Sequence, residues 1–362
     1  MKIMYLVYSF TTGGTERLLV DICNEMSKKN DVFLYIVNNY YSYEMLKQIN
    51  ENVTIETENR KVGSKNILKT MNNISRFIKK NKIDIVHCNS LNSPELLFIS
   101  KIFYHKLKIF YTVHGMNQYK ELNKIRIIYR NIICNKIIGI SNSVREDIAR
   151  YGANPNKTIM IYNGIQTNKF NLNNKEFNTI EPVIGNVARI EPKIKGQDIL
   201  IDAIIKLKEK YPKISCILAG GIAEKDKKDY KEILKKIKKN KIENNIVFVG
   251  NIQDVPEFLK KIDIFVLPSR YEGFGLSLVE AMSMGIPCIA SNLNGPAEII
   301  EQEKVGKLFE SGNANSLAKV LEEVIENFEI IKKEATHICD DIKNKYDISN
   351  MCDKLIKVYK ER

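Results

Sequence analysis

The sequence predicts an α/β protein made of two Rossmann-like domains, each with a parallel, doubly wound sheet. Three observations lead to this prediction. Short apolar runs alternate with segments of helical periodicity, the alternation restarts after a polar stretch near the middle, and 362 residues exceed what one hydrophobic core usually holds. In such sheets ligands bind at the carboxyl ends of the strands, where the strand order reverses. Residues that directly follow an apolar run are therefore the first candidates for function.

The composition is that of a globular protein, with 44% hydrophobic and 27% charged residues. No uninterrupted apolar run reaches the ~18 residues of a membrane-spanning helix, and the first eight residues are typical of a strand rather than of a signal peptide. We therefore expect a cytoplasmic protein. The seven cysteines are scattered without paired spacing, which predicts reduced, buried thiols.

The basic charge is concentrated in the first half of the chain. Residues 1–180 contain 26 Lys and Arg against 14 Asp and Glu, whereas residues 181–362 contain 30 against 29. Nucleic acid, an anionic membrane or an anionic acceptor would each account for such an excess. The heavy use of Lys, Ile and Asn throughout the chain also contributes to it.

Five apolar runs in the first half are predicted to be strands. They are residues 2–8, 31–37, 83–88, 108–113 and 136–140. A turn containing Gly13 and Gly14 follows the first run and leads into a helix, and such a turn lets the backbone approach a phosphate. His114 directly follows the fourth run, where its side chain would face the ligand-binding edge, although a histidine satisfied by local backbone is an equal alternative.

Two stretches of this half combine helical periodicity with many basic residues, at 60–82 and 120–136. In the second, Ile128 and Ile132 alternate with Lys124, Arg126 and Arg130. Each stretch taken alone is adequately explained as an amphipathic surface helix with solvated lysines. Two of them in the basic half favour a peripheral contact with an anionic membrane surface.

The domain boundaries follow from a change in composition. We predict a first domain at residues 1–166, a polar, asparagine-rich linker at 167–181, and a second domain at 182–344. A final helix is predicted at 345–362.

The second domain repeats the pattern of strand followed by functional loop. Arg189 ends the first strand of this half and Lys195 follows on the same loop, so the two cations together can neutralise a diphosphate. Residues 215–221 are predicted to be a strand that leads into a glycine turn at Gly220, and Ile252 follows the predicted strand at 246–251. We expect both residues at the ligand-binding edge.

The most informative stretch is 266–285, which predicts a strand, a glycine turn and a helix in that order. The turn carries Phe274, Gly275 and Leu276, whose backbone amides at a helix N-terminus suit an anion. Two carboxylates, Glu272 and Glu280, lie eight residues apart on either side of this helix start. This is a suitable layout for a nucleotide bearing a sugar.

The run from Glu272 to Glu280, E-G-F-G-L-S-L-V-E, resembles the E-x7-E motif of the retaining glycosyltransferases of family 4. That resemblance implies the GT-B fold, in which two Rossmann-like domains face each other across a deep cleft and the final helix packs back on the first domain. It also implies that Gly14 and His114 lie near the donor, that Arg189 and Lys195 bind its diphosphate, and that Ile252 lies at the base.

The resemblance further implies the reaction and its partners. The donor would be a nucleoside-diphosphate sugar, with UDP the commonest nucleotide, and the acceptor a glycan or a lipid-linked glycan of cell-surface polysaccharide assembly. Glu272 would hold the donor sugar and Glu280 the ribose hydroxyls, and transfer would retain the anomeric configuration. Because no Asp-x-Asp pair stands at a comparable strand end, we expect no metal and no separate cofactor.

Four other functions remain as alternatives. A nicotinamide oxidoreductase would need G-x-G-x-x-G after the first strand, which is missing, and a nucleic-acid-binding protein would need aromatic or helix-turn-helix features, which we do not find. A nucleotide-sugar epimerase could use the same fold without an acceptor. A non-catalytic scaffold is disfavoured, because both cations and both carboxylates are present.

Overall fold

The structure, a computed structural model, describes residues 1–171 and 175–361. It divides into two compact units, one made of Met1–Ile165 together with the chain from Asp347 onward, and the other of Gln166–Tyr346. Residues 172–174 of the predicted linker and residue 362 of the predicted final helix lie outside the described residues.

In the first unit, seven strands form one parallel sheet within the described part of the chain. They are β1 (Lys2–Val7), β2 (Asp31–Asn38), β3 (Val53–Arg60), β4 (Ile85–Cys88), β5 (Lys108–Val113), β6 (Lys136–Gly139) and β7 (Thr158–Met160). Their spatial order is β3-β2-β1-β4-β5-β6-β7, so the order reverses between β1 and β4. The central strands are apolar along almost their whole length because helices cover both faces of a parallel sheet.

Helices connect these strands. They are α1 (Gly14–Met26), α2 (Tyr43–Leu46), α3 (Ile67–Asn81), α4 (Phe98–Phe103), α5 (Lys124–Ile133) and α6 (Asn142–Arg150). The start of α6 is fixed by Ser141, whose Oγ accepts a hydrogen bond from the Val144 amide at 3.1 Å.

The interpretation of the second basic stretch needs a correction. Arg130 is fully buried and does not belong to a solvated face, because its guanidinium is 2.8 Å from Glu95 and lies over the ring of Tyr111. Arg126 also pairs with Glu95, at 3.0 Å. The isoleucines that alternate with these residues are instead exposed, at Ile128 and Ile132 among others.

In the second unit, six parallel strands form the sheet within the described residues, in the order β10-β9-β8-β11-β12-β13. They are β8 (Val183–Val187), β9 (Ser215–Ala219), β10 (Ile246–Gly250), β11 (Ile264–Leu267), β12 (Cys288–Ser291) and β13 (Lys307–Phe309). The order reverses between β8 and β11, which are hydrogen-bonded neighbours.

Helices again cover the sheet. They are α7 (Pro192–Lys195), α8 (Gln197–Leu207), α9 (Lys227–Lys239), α10 (Val255–Leu259), α11 (Leu276–Ser283), α12 (Asn294–Glu303), α13 (Ala314–Glu326), α14 (Phe328–His337) and α15 (Cys339–Tyr346). One side of the core joins β8, β9 and β11 to α8, α9 and α13 through buried aliphatic side chains such as Ile184, Leu200 and Leu321. This packing holds the carboxyl ends of the strands in fixed positions.

The final helix, α16 (Ile348–Lys360), begins later than predicted. The chain at Lys345 still belongs to α15, and Asp347 then caps α16 by accepting a hydrogen bond from the Ser349 amide at 2.8 Å. The helix is part of the first unit, where the Tyr359 hydroxyl contacts Nδ1 of His87 in the middle of β4. All seven cysteines are buried and free, as predicted. Among the described residues no helix has both the length and the apolar character that a bilayer crossing requires.

Candidate functional site

The candidate site of the second unit lies where its strand order reverses. The chain leaves β8 towards Arg189 and leaves β11 towards Glu272, and these two strands are neighbours in the sheet. The loop after β8, which carries Arg189 and Lys195, therefore begins beside the loop after β11, which carries Glu272. Parallel sheets bind their ligands at this kind of position.

Lys195 and Glu272 are brought into direct contact. The Nζ atom of Lys195 donates a hydrogen bond to Oε2 of Glu272 at 2.8 Å, although the residues are 77 positions apart in the sequence. Both side chains remain partly accessible to solvent. A sugar diphosphate could thus reach the cation and the carboxylate together.

Backbone contacts hold the two loops against each other. The amide groups of Arg270 and Tyr271 both donate to the Ile194 carbonyl, at 2.7 and 3.3 Å. Gly196 has a φ of +69°, and a Cβ atom there would lie 1.9 Å from the Pro268 carbonyl oxygen, so only glycine fits this approach. The position of Lys195 opposite Glu272 is therefore built into the backbone.

Arg270 reinforces this junction, and sequence reasoning missed it. Its guanidinium donates two parallel hydrogen bonds to Asp198, at 2.7 and 2.8 Å, and a third to the Pro192 carbonyl at 2.8 Å. Bidentate bonds between arginine and a carboxylate are strong and directional. Neither residue belongs to a recognisable motif, although Arg270 lies two positions before Glu272.

Arg189 lies on the same loop but is more exposed. Its Nη2 atom is 3.4 Å from Oε2 of Glu191, a buried carboxylate that also accepts a hydrogen bond from Lys225. The carbonyl of Arg189 accepts a hydrogen bond from the buried Gln197 side chain at 2.8 Å. The short helix α7 (Pro192–Lys195) follows Arg189 after two residues and ends at Lys195. Glu191 and Gln197 are supporting residues for which we find no signal in the sequence.

The glycine turn and helix predicted after β11 are present. Gly275 adopts a φ of +103° and precedes α11, whose first turn begins at Leu276. The amides at the start of a helix have no acceptor within the helix, and they carry the positive end of its dipole. Glu280 lies in the second turn of α11 and is buried, and Phe274 is also buried, with its ring 5.9 Å from that of Tyr346.

Gly220 lies against the loop that carries Arg189. It has a φ of +151°, and a Cβ atom at this position would be 1.8 Å from the Ala188 carbonyl oxygen. Its amide donates to the Gly250 carbonyl at 2.8 Å, which brings the end of β10 alongside. Ile252 follows Gly250 by two residues and is half-buried. The carboxyl ends of β8, β9 and β10 therefore lie next to one another.

In the first unit, the predicted residues lie at the carboxyl edge of the other sheet. Gly13 precedes α1 with an extended backbone, and Gly14 is the first residue of the helix. His114 follows β5, where its Nε2 atom is 3.2 Å from Oδ1 of Asn89, a residue that follows β4. Burial lowers the pKa of His114 to about 4, so the imidazole is neutral at pH 7.

A neutral imidazole has one donor nitrogen and one acceptor nitrogen. The amide nitrogen of Asn89 donates to the His87 carbonyl at 3.3 Å, so Oδ1 is the atom that faces His114. Nε2 of His114 is then the donor, and Nδ1 is left as an acceptor. Asn89 is a further residue that sequence reasoning did not single out.

Two family models match the chain. The model described as Glycosyltransferase Family 4 matches residues 12–169, and the model described as Glycosyl transferases group 1 matches residues 168–338. Together they extend over both units.

Individual proteins are similar along most of the chain. The O-antigen biosynthesis glycosyltransferase WclY of Escherichia coli is 27% identical over 320 residues, which cover 83% of each protein. The UDP-Gal:alpha-D-GlcNAc-diphosphoundecaprenol alpha-1,3-galactosyltransferase of Escherichia coli is 26% identical over 312 residues, which cover 81% of this chain and 79% of that protein.

Solved structures agree with the observed architecture. Alr3699/HepE of Anabaena, crystallised in complex with UDP, matches with a TM-score of 0.84 at 21% identity, over 99% of both chains. That likeness, together with two parallel sheets of Rossmann type, shows the GT-B fold. From the motif, the architecture and the matched family models, we conclude that the chain belongs to glycosyltransferase family 4 and is a glycosyltransferase.

Proposed function

We propose that this protein transfers a sugar from a UDP-sugar to a glycan or lipid-linked acceptor during cell-surface polysaccharide assembly, with retention of the anomeric configuration. The observation that carries the proposal is the contact of Lys195 with Glu272 beside the N-terminus of α11. The names of the relatives support the choice of substrates, since one acts in O-antigen biosynthesis and another uses UDP-Gal and a diphosphoundecaprenol acceptor.

The cations would stabilise the departing nucleotide. As the bond between the anomeric carbon and the diphosphate breaks, negative charge develops on the leaving phosphate oxygens. Arg189 and Lys195 supply positive charge there, and the amides at Gly275 and Leu276 add the dipole of α11. These groups would take the place of a metal ion, so we propose that transfer is metal-independent.

The carboxylates would orient the donor. Glu272 accepts hydrogen bonds from hydroxyl groups of the transferred sugar, and Glu280 accepts them from the ribose. Ile252 contacts the base, and Gly220 lets the backbone approach the donor closely. Because Glu272 is also paired with Lys195, the sugar and its phosphate are recognised by one connected pair of side chains.

Retention would follow from attack on the face that the leaving group departs from. The acceptor hydroxyl forms the new bond to the anomeric carbon, the bond to the diphosphate breaks, and the hydroxyl proton passes to the departing phosphate oxygen. This route requires no covalent intermediate with the enzyme. His114 would contribute a neutral acceptor nitrogen to a hydroxyl group, and Gly13 and Gly14 would allow a close backbone approach.

A lipid-linked acceptor would lie in a membrane. The proposal therefore includes a cytoplasmic protein attached peripherally to an anionic membrane face, which the basic first half of the chain also favours. We expect no binding of nucleic acid.

The test starts with a panel of nucleotide sugars and the change that each causes in the melting temperature. The donor that stabilises the protein is then incubated alone and with a diphosphoundecaprenol-linked N-acetylglucosamine, and the products are analysed by mass spectrometry and NMR. We expect a new α-linkage from an α-linked donor, formed only when the acceptor is present. Isomerisation of the donor alone would identify an epimerase, and no stabilisation by any nucleotide sugar would contradict the proposal.

A further inference from the structure

The helix α5 exposes its apolar side to solvent. Ile125, Ile128 and Ile132 are 78%, 58% and 70% exposed. Their spacing of three and four residues places them on one side of the helix. A soluble domain normally turns such a stripe towards its core, so three exposed isoleucines in register indicate that this side contacts something else.

The neighbouring helix α4 extends the same surface. Phe98, Ile102 and Phe103 are exposed, and the ring of Phe98 is 6.1 Å from that of Tyr129 on α5. We refer to these exposed side chains as the α4–α5 apolar patch. It comprises Phe98, Ile102, Phe103, Ile125, Ile128 and Ile132.

The charged residues on α4 and α5 themselves are all basic, whereas Glu95 precedes α4 and is paired with Arg126 and Arg130, and the exposed Glu121 precedes α5. Residues 98–108 and 122–136 contain no Asp or Glu. Lys106 and Lys124 are exposed, and Lys157 reaches the end of α5, where its Nζ donates to the Ile132 carbonyl at 3.3 Å. On α4, the Nζ atom of Lys101 donates a hydrogen bond to the Leu107 carbonyl at 2.7 Å. Exposed lysines thus lie beside an apolar centre.

We propose that the α4–α5 apolar patch inserts into the interfacial region of an anionic lipid bilayer, with the surrounding lysines at the level of the headgroups. Isoleucine and phenylalanine side chains lose contact with water on insertion, and each nearby lysine gains attraction from anionic lipid. A second copy of the chain fits less well, because facing patches would bring like charges together.

This inference rests on the proposed function in one respect: membrane binding would bring the enzyme to a lipid-linked acceptor. It also changes the expected surface. The sequence favoured membrane contact through basic charge on two helices, whereas the present inference depends on the exposed apolar side chains of α4 and α5. On α3, Ile74 and Ile78 are buried, and among the apolar residues of this helix only Ile67 and Leu68, at its start, are exposed.

The test replaces all three exposed isoleucines in one variant, Ile125→Ser, Ile128→Ser and Ile132→Ser. Binding is measured by flotation with vesicles of phosphatidylglycerol and phosphatidylethanolamine, and with vesicles of phosphatidylcholine alone. We expect wild type to bind the anionic vesicles preferentially at low salt. The variant should partition at least about tenfold less, because insertion scales with buried apolar area.

The chain provides a matched control in Ile180→Ser combined with Ile330→Ser. These isoleucines are 87% and 62% exposed and belong to the second unit. This control should bind vesicles as wild type does. A charge variant, Lys106→Glu with Lys124→Glu, should bind more weakly to anionic vesicles and lose most of its dependence on salt.

Three outcomes would overturn the inference. They are no binding of wild type to anionic vesicles, equal binding by the triple variant and wild type, or a change of the triple variant from dimer to monomer without an effect on vesicle binding. Melting curves and stabilisation by UDP, measured without vesicles, show whether the variants fold and keep the donor site. If the protein binds vesicles but no nucleotide sugar, that result would contradict the proposed function without contradicting membrane binding by the α4–α5 apolar patch.

Discussion

The guanidinium of Arg270 binds the carboxylate of Asp198 through two parallel hydrogen bonds, with Nη1–Oδ1 and Nη2–Oδ2 distances of 2.7 and 2.8 Å. This pair connects the segment after β11 to the first turn of α8. The residues that face each other across the junction are Lys195 and Glu272. The geometry of the candidate site thus depends on a pair that does not itself belong to the family motif.

Asp198→Asn should reduce transfer without removing the donor site. The variant loses one charge and the strong bidentate pairing, so Lys195 and Glu272 are held less firmly, and we expect kcat/KM to fall by roughly 10- to 100-fold. Asp202→Asn is the matched control. Asp202 lies on α8 like Asp198, and this substitution breaks its ion pair with Lys236 of α9 (2.8 Å) instead. Equal activity of the two variants would show that the Arg270–Asp198 pair has no role in transfer.

Lys195→Ala and Glu272→Ala should each lower kcat by roughly 10²- to 10³-fold, because charge stabilisation and sugar orientation act in the transition state. Lys193→Ala serves as the control for the loop, since its side chain points away to Asp229 at 2.9 Å. Initial rates with the identified donor provide the measurement. Unchanged turnover in either variant would remove that residue from the proposed mechanism.

Gly220→Ala should destabilise the second unit more than Gly250→Ala. Both glycines have positive φ, but a Cβ atom at Gly220 would lie 1.8 Å from the Ala188 carbonyl oxygen, whereas none lies within 4 Å at Gly250. We expect a loss of roughly 1 kcal/mol for Gly250→Ala and at least about 3 kcal/mol for Gly220→Ala. Urea denaturation followed by circular dichroism compares the two. Similar urea midpoints for the two variants would refute the expected clash between the Cβ atom at position 220 and the Ala188 carbonyl oxygen.

His87 should make the first unit sensitive to acid. Burial lowers the pKa of His87 to about 3, below the ordinary value of 6.5, so the unfolded chain binds a proton more readily than the folded one. The contribution of the neutral His87 to the free energy of unfolding is complete above pH 6.5 and is lost as the pH falls towards 3. The His87→Gln variant should show a flatter pH dependence of the melting temperature between these values. An equal decrease of the melting temperature in wild type and variant over this pH range would show that His87 is not the group responsible.

Transfer should be insensitive to chelation of divalent cations. The positive charge needed by the leaving group comes from Arg189, Lys195 and the N-terminus of α11 in the proposed mechanism. Dialysis against EDTA should therefore leave the rate within about twofold of its initial value. A loss of activity that returns on addition of Mg²⁺ or Mn²⁺ would contradict a metal-independent reaction.

The sequence predicted the architecture well where local patterns decide it. Buried parallel strands are apolar along their length, and the positions at which they end place Arg189, Lys195 and Glu272 at one sheet edge. The edge strand β3 was missed because its sequence, V-T-I-E-T-E-N-R, is half polar and only partly buried. The short strand β13 was missed for want of a long apolar run.

Other features depend on contacts between residues that are far apart in the sequence. Arg130 looks like a surface residue in its own helix, and only Glu95 and Tyr111, brought together by the sheet, explain its burial. The link between Arg270 and Asp198 spans 72 positions and follows no spacing rule. Periodicity shows that the isoleucines of α5 share one side, but it does not show which way that side faces.

The return of the chain to the first unit has a consequence for its synthesis. Tyr359 contacts His87 across 272 positions, so the surface that receives α16 stays uncovered until the chain has been synthesised past Tyr359. A premature stop just before Ile348 would remove α16, and would leave the first unit with an uncovered apolar surface and His87 without its hydroxyl partner. Chains that lack α16 should therefore be removed by cellular proteases, even though they contain every predicted donor-binding residue.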